Sequence, residues 1–176
     1  KSTPNFESPV DFGANNVYNI IVRASDGALN SERAVAITVT NANEAPSITS
    51  GATATTEERV STSTSVYTVV ATDPDANTTM TYSISGGADA GLFNINASTG
   101  VLTFKTSPDY EAPADADANN VYNIKVRASD GTSYAEKAVD ISVANVNEGG
   151  LLGKDFNADK KSDILLQNTS DGSCYI

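Results

Sequence analysis

The sequence predicts an all-β chain made of tandem β-sandwich domains. Three observations point to this class: the chain contains an internal repeat, apolar and polar residues alternate with a period of two, and no segment shows a helical period. Short strands at close spacing, with β-branched residues inside them and turn residues between them, are typical of an immunoglobulin-like Greek-key sandwich. We therefore expect such sandwiches in a tandem array.

The repeat sets the expected domain boundaries. Residues 1–44 align without a gap onto residues 105–148, at an offset of 104, and are identical at 26 of 44 positions. Such an offset corresponds to one domain of ordinary size. We expect three parts: the C-terminal half of a repeat with its linker at 1–46, a complete repeat at 47–148, and a partial segment of another kind at 149–176.

Alternation places the strands of the complete repeat. One face of a strand over residues 121–130 carries Tyr122, Ile124, Val126 and Ala128, and the other carries Asn123, Lys125 and Arg127. The same period predicts strands around Met80, Tyr82 and Ile84, around Leu102 and Phe104 after the Ser98-Thr99-Gly100 turn, and around Val139, Ile141 and Val143. Tyr18 and Tyr122 fit this alternation, which favours core packing over sugar stacking.

Composition excludes several classes of protein. The chain carries 22 Asp and Glu against 11 Lys and Arg, a formal net charge of −11, no His and one Cys. Sites that need His, whether a Ser-His-Asp triad or a His-ligated zinc ion, are therefore excluded within the chain, as is an internal disulfide. Nucleic acid and anionic membranes are poor partners, because both require a basic surface. Asp11, Asp115 and Asp117 match no motif and are expected to be surface charge.

The first residue and the apolar runs bear on the extent of the chain. No apolar run approaches the length of a membrane span, and the chain begins with Lys1 rather than Met or a signal peptide. We expect a segment of a longer protein.

Acidic residues cluster at predicted strand ends and in the linkers. The clusters are Glu57-Glu58, Asp73-Pro74-Asp75, Asp109-Tyr110-Glu111, Asp130, and the linkers 41–46 and 145–148. Carboxylates, Asn side chains and backbone carbonyls gathered at a domain junction would supply the six to eight oxygens that Ca²⁺ takes. Carboxylates alone would repel one another there.

At these residues the sequence resembles the cadherin repeat of long bacterial surface and secreted proteins, over residues 1–148. Asp109-Tyr110-Glu111 looks like the family's D-x-E motif, Asp73-Pro74-Asp75 its D-x-D, Ala128-Ser129-Asp130 its A-x-D, and residues 41–46 its D-x-N-D-N-x-P linker. The resemblance implies that calcium stiffens the junctions between repeats.

The resemblance also implies the ligands. The junction near residue 45 would use Glu7, Asn43, Glu44, Asp73, Asp75 and Asp130, and the far junction would use Glu58 or Glu57, Asp109, Glu111, Asn147 and Glu148. Asp26 is equivalent to Asp130 in the first half repeat and is expected to be a ligand too. Asn5, Asn41 and Glu44 replace family residues, which implies fewer or more weakly held ions.

A second calcium loop is predicted near the C-terminus. Asp155, Asn157, Asp159 and Asp163 occupy positions 1, 3, 5 and 9 of a loop, and Lys161 would offer its backbone carbonyl at position 7, as in an EF-hand. The stretch also resembles the calcium-binding segment of FG-GAP or VCBS repeats over 151–176, with Ala158 and Lys160 in place of glycines.

These features favour a non-enzymatic, calcium-binding structural or adhesion module of a bacterial extracellular protein. Its expected partners are neighbouring repeats, identical chains or surface glycans. One alternative is a filament subunit assembled by strand complementation of the incomplete sandwich, and another is a carbohydrate-binding module, for which a chain without Trp is poorly equipped. Paired carboxylates such as Asp73 and Asp75 do not suit glycoside hydrolysis, because residues two apart on a loop do not face each other across a cleft.

Overall fold

The computed structural model describes residues 3–146 together with the strand residues 166–167 and 174–175. Over this part of the chain every regular secondary-structure element is a β-strand except for one 3₁₀ turn, Ala90–Leu92. No helix there has the length and apolarity needed to cross a bilayer. The predicted all-β class is confirmed.

The strands follow the predicted order. They are β1 (Val17–Ser25), β2 (Asn30–Thr38), β3 (Ser47–Ile48), β4 (Thr53–Glu57), β5 (Tyr67–Thr68), β6 (Ala71–Thr72), β7 (Thr81–Gly86), β8 (Phe93–Ile95), β9 (Val101–Phe104), β10 (Val121–Ser129), β11 (Tyr134–Ala144), β12 (Leu166–Gln167) and β13 (Cys174–Tyr175).

Strands β3 to β11 form the immunoglobulin-like sandwich. One sheet has the order β4-β11-β10-β7, and the other layer consists of the β5-β9-β8 sheet and the β3-β6 pair. Strand β4 runs parallel to β11, with Thr53 opposite Asp140 and Glu57 opposite Ala144, whereas every other pairing is antiparallel. The β1-β2 hairpin and the β12-β13 pair are separate two-stranded sheets.

The core lies between the two layers of the sandwich. Its buried apolar side chains include all the positions predicted to face inward on β9, β10 and β11, namely Leu102, Phe104, Tyr122, Ile124, Val126, Ala128, Val139, Ile141 and Val143. Tyr122 meets Phe93 and Phe104 edge-on, with ring centroids 5.8 and 5.1 Å apart. Tyr82 and Ile84 pack against this core, while Met80 precedes the first residue of β7. The alternation thus identified the buried face correctly.

Residues 3–44, the described part of the segment that recurs at 105–148, form only a hairpin. Strands β1 and β2 pair as β10 and β11 do, but no second sheet covers them within the described residues. Tyr18 is therefore half-buried, whereas Tyr122 is 1% exposed, and the prediction that both pack in a core is wrong for Tyr18.

Asp115 is not the surface charge that the sequence suggested. It is 6% exposed, and its carboxylate accepts hydrogen bonds from the backbone amides of Asn119 and Asn120 at 2.8 and 3.2 Å. Asp11 holds the equivalent loop, accepting from the amides of Asn15 and Asn16 at 3.1 and 3.0 Å. Both carboxylates shape the entry to the following strand, because they satisfy amides that a turn leaves unpaired.

Candidate metal sites

Three carboxylates meet where the linker after the β1-β2 hairpin joins the sandwich. Glu7, Glu44 and Asp75 each offer an oxygen within 4.8 Å of the other two. Glu7 precedes β1, Glu44 lies in the linker between β2 and β3, and Asp75 follows β6. The cluster therefore draws its carboxylates from the segment before β1, from the linker and from the loop after β6.

Backbone and amide hydrogen bonds hold Asp75 in this cluster. Its Oδ2 accepts from the backbone amide of Glu44 at 3.0 Å, and its Oδ1 accepts from Nδ2 of Asn41 at 2.6 Å. Its own amide donates to Oδ1 of Asp73 at 2.8 Å, in the turn that Pro74 introduces. The linker and the loop after β6 are thus joined through one side chain.

A second contact crosses the same junction. Asn43 donates from Nδ2 to Oδ2 of Asp130 at 2.9 Å and to Oγ of Ser133 at 3.2 Å. Oδ1 of Asp130 accepts from the amides of Thr132 and Ser133, both at 2.6 Å. The amide of Ser133, followed by the side chain of Asn43, lowers the pKa of Asp130 below its ordinary value.

The electrostatics of the first cluster favour a cation. Loss of hydration raises the pKa of Glu44 above its ordinary value, and the negative charges of Glu7, Asp75 and Asp73 raise it further. Oδ2 of Asp73 is buried and has no hydrogen-bond partner. An all-oxygen donor set with repelling carboxylates and one unpartnered oxygen suits a hard cation such as Ca²⁺.

The second cluster lies at the opposite end of the sandwich. Glu58, Asp109 and Glu111 each offer an oxygen within 4.8 Å of the other two. Glu58 is 3% exposed and accepts from the amides of Val146 at 2.8 Å and Tyr110 at 3.1 Å, which lower its pKa. This carboxylate is thereby favoured in its ionised form, and it fixes the loop that carries Asp109 and Glu111 to the start of the second linker.

Local turns orient the other two carboxylates of this cluster. Oδ1 of Asp109 accepts from the amides of Glu111 and Ala112 at 3.0 and 3.2 Å. Oε1 of Glu111 accepts from Nδ2 of Asn145 at 2.6 Å. The D-x-E spacing thus places two carboxylates on one side of a turn.

The predicted ligands fall into three groups: those in or beside a cluster, those outside the clusters, and those outside the described residues. One cluster consists of Glu7, Glu44 and Asp75, and hydrogen bonds link it to Asn43, Asp73 and Asp130. The other cluster consists of Glu58, Asp109 and Glu111. Glu57 is exposed at the end of β4, and Asp26 caps its own turn by accepting from the amides of Ala28 and Leu29, so neither belongs to a cluster among the described residues. Asn147, Glu148, Asp155, Asn157, Asp159, Lys161 and Asp163 lie outside the described residues.

Two residues were missed as members of the sites. Asn41 binds Asp75 and Asn145 binds Glu111, each at 2.6 Å. They occupy equivalent positions, 104 residues apart, at the start of the N-x-N-E sequence that both linkers contain. The repetition of this short sequence was the signal that could have identified them.

Comparison with known proteins identifies the fold. The family model described as Cadherin domain matches residues 52–145, which is most of the sandwich and more than half of the chain. The chain belongs to the cadherin family. The resemblance to a cadherin repeat is thus confirmed for the complete repeat, and residues 73–75, 109–111 and 128–130 lie within the matched range.

The similar proteins are large. Protocadherin Fat 2 of mouse is 34% identical over 156 residues, and Protocadherin Fat 4 of human is 34% identical over 174 residues, covering 85% and 92% of this chain. The chain spans 3% of the length of either relative. The solved extracellular cadherin domains 1–4 of Protocadherin Gamma B7 match with a TM-score of 0.58 and 24% identity, over 80% of this chain and 35% of that one. That structure supports the cadherin fold.

Proposed function

We propose that this chain is a calcium-binding structural and adhesion module of an extracellular protein, in which Ca²⁺ stiffens the junctions between cadherin repeats. The observation that carries the proposal is the convergence of Glu7, Glu44 and Asp75 from both sides of one junction. Repulsion among these carboxylates would loosen the linker. A bound cation would attract all three of them, so the net electrostatic interaction at the cluster would become favourable. Calcium would thereby convert a flexible connection into a stiff one.

The far cluster extends the same proposal. Glu58, Asp109 and Glu111 would hold calcium together with Asn147 and Glu148, which lie in the second linker. Extracellular calcium modules bind with dissociation constants of roughly 10⁻⁴ to 10⁻³ M, so millimolar external calcium would keep such sites filled. This range fits a protein that works outside the cell.

The proposal also includes four more detailed statements about domain division, origin, a further calcium loop and partners. They are the division into parts at 46 and 148, the bacterial origin, the calcium loop over Asp155 to Asp163 of an FG-GAP or VCBS segment, and contacts with identical chains or glycans. They rest on the internal repeat and on the resemblances of the sequence to these repeat types. In this proposal the module works without catalysis, because its chemistry would consist of holding an ion between domains.

Counting bound calcium by native mass spectrometry tests the proposal. We expect Asp75→Asn to lose calcium from the first cluster and Glu58→Gln to lose it from the second, each with an unchanged far-UV circular dichroism spectrum. Asp26→Asn and Glu57→Gln are matched controls, because each removes a carboxylate charge outside the two clusters. Unchanged calcium stoichiometry in both Asp75→Asn and Glu58→Gln would contradict the proposal.

A further inference from the structure

One core strand of the sandwich carries a lysine on its inner face. Lys137 lies on β11 two residues before Val139 and four before Ile141, and residues two apart on a strand point to the same side of the sheet. Val139 and Ile141 are 0% exposed, and Lys137 is half-buried. A charged side chain on this face needs polar partners, because burying an unpaired ammonium is costly.

Two backbone carbonyls accept hydrogen bonds from this ammonium. Nζ of Lys137 donates to the carbonyl of Ile48 at 3.2 Å and to the carbonyl of Ser50. Ile48 is the last residue of β3, and Ser50 belongs to the crossover segment, residues 49–52, which takes the chain from the β3-β6 pair in one layer to β4 in the other. We call these two bonds the Lys137 clamp. Their donor is charged, so each is stronger than a bond between neutral groups.

Other hydrogen bonds attach the crossover segment to the chain between β5 and β6. The carbonyl of Val70 accepts from the amides of Thr49 at 2.8 Å and Ser50 at 3.3 Å, and the amide of Val70 donates to Oγ of Ser50 at 3.1 Å. The hydroxyl of Tyr67, which is 9% exposed, donates to the carbonyl of Gly51. These bonds all come from one layer of the sandwich.

Strand β11 holds the same chain from the other layer. The amide of Asp140 donates to the carbonyl of Ala52 at 3.0 Å, and the pairing of β4 with β11 begins at the next residue, Thr53. The Lys137 clamp extends this attachment back to Ile48. One strand therefore holds β4, the crossover segment and the end of β3.

Strand β3 is short and carries the linker. Its two residues, Ser47 and Ile48, pair only with the two residues of β6. A segment with so few contacts opens locally more readily than the core does. Glu44 lies three residues before Ser47, and its amide donates to Oδ2 of Asp75 at 3.0 Å in the first cluster. Opening of β3 would therefore also release the end of the linker.

We propose that Lys137 is a positioning residue for this junction. By holding the carbonyls of Ile48 and Ser50, it keeps β3 closed and thereby fixes the end of the linker that places Glu44 against Asp75. The geometry of the first cluster is then set from inside the sandwich, by a residue that does not belong to the cluster. The contacts that carry this inference are hydrogen bonds between protein groups, so it holds whether or not a cation binds.

Amide hydrogen exchange of the full chain, measured by NMR in chelator, tests the proposal. Lys137→Met keeps an unbranched apolar side chain and removes the ammonium. We expect exchange at the crossover amides, those of Thr49 and Ser50, to speed up by about 10-fold, because the charged bonds that close the segment are lost. Exchange at Glu44 should speed up as well. Exchange at Val126 in the core should stay unchanged, because the opening is local.

Matched variants separate the clamp from a general effect of charge. Lys125→Met removes an ammonium from the outer face of β10 and should leave the crossover amides unchanged, and Lys137→Arg should retain their slow exchange because it keeps a charged donor. Unchanged exchange at the crossover amides in Lys137→Met would overturn the proposal. So would an equal increase at Val126, because Lys137 would then stabilise the whole sandwich. Faster exchange at the crossover amides without any change at Glu44 would show that the linker is fixed independently, which also contradicts the proposal.

Discussion

Nδ2 of Asn43 lies 2.9 Å from Oδ2 of Asp130, joining the inter-repeat linker to the turn that follows β10. The two residues are 87 positions apart in the sequence, so this contact fixes a long-range relationship between the hairpin and the sandwich. It also holds one carboxylate beside the first cluster of acidic residues.

Replacing Asn43 with Ala should loosen this junction. The variant loses the bonds to Asp130 and Ser133, and we expect a broader distribution of distances between the hairpin and the sandwich in chelator. Spin labels attached at Ser31→Cys and Thr103→Cys, in a Cys174→Ser background, measure that distribution by double electron–electron resonance spectroscopy. Asn94→Ala, on β8, is the control and should leave it unchanged; equal widths for both variants would contradict the expectation.

Glu58 should stabilise the sandwich more at neutral than at acid pH. Hydrogen bonds from the amides of Val146 and Tyr110 hold its folded-state pKa below the ordinary value of 4.5. Its contribution is therefore present above about pH 4.5 and is lost as the pH falls through the folded-state pKa. Melting temperatures between about pH 3 and 7 in chelator should fall less steeply toward acid in Glu58→Gln than in Glu57→Gln. Parallel curves would refute this role of Glu58.

The contribution of Glu44 to stability should depend on pH in the opposite sense to that of Glu58. Its folded-state pKa lies above 4.5, first because of lost hydration and then because of Glu7, Asp75 and Asp73. Its ionisation therefore costs stability as the pH rises from about 4.5 through the folded-state pKa. We expect Glu44→Gln to raise the melting temperature at pH 7 in chelator, and Glu57→Gln to leave it near that of the parent. A lower melting temperature for Glu44→Gln would count against repulsion at this site.

Equivalent isoleucines in the two hairpins should differ in their effect on stability. Ile124 is 2% exposed in the core and Ile20 is 45% exposed. Ile124→Ala should reduce the free energy of unfolding by about 2–5 kcal/mol, because it leaves a cavity. Ile20→Ala should change it by less than about 0.5 kcal/mol. Urea unfolding followed by circular dichroism measures both, and similar losses would mean that Ile20 is also packed.

Gly100 is required by the turn between β8 and β9. Its φ is 71°, and a Cβ at this position would collide with the carbonyl oxygen of Val69. Gly100→Ala should therefore cost more than the roughly 1–2 kcal/mol of a left-handed residue alone. Gly91→Ala has open space around its Cβ and is the control. Chemical denaturation compares the two, and equal stability would show that the turn relaxes.

The sequence predicted the fold well because alternation marks the face of each strand that can be buried, and the internal repeat marks the length of one domain. Ile124 and Val126 face inward, as their period of two requires. The same rule misled at Tyr18, since periodicity identifies the face that would be buried and does not reveal whether anything covers it. Burial at that position depends on a second layer, and no such layer covers it among the described residues.

The candidate sites were predictable in part. D-x-D and D-x-E spacings located Asp75, Asp109 and Glu111, but spacing could not choose between Glu57 and Glu58. That choice depends on where β4 ends: Glu57 is its last residue, and Glu58 turns inward to meet the amides of Tyr110 and Val146. The burial of Asp115 was missed because its partners are backbone amides, which carry no signal in the side-chain pattern.

The parallel pairing of β4 with β11 determines how tension would pass through this sandwich. The chain enters through β3 and β4 and leaves from β11, so a pull on the two linkers drives residues 53–57 and 140–144 past each other in opposite directions. All the hydrogen bonds between these strands are then loaded together in shear, instead of opening one after another from an end. A module built in this way transmits force along its length while its core stays closed.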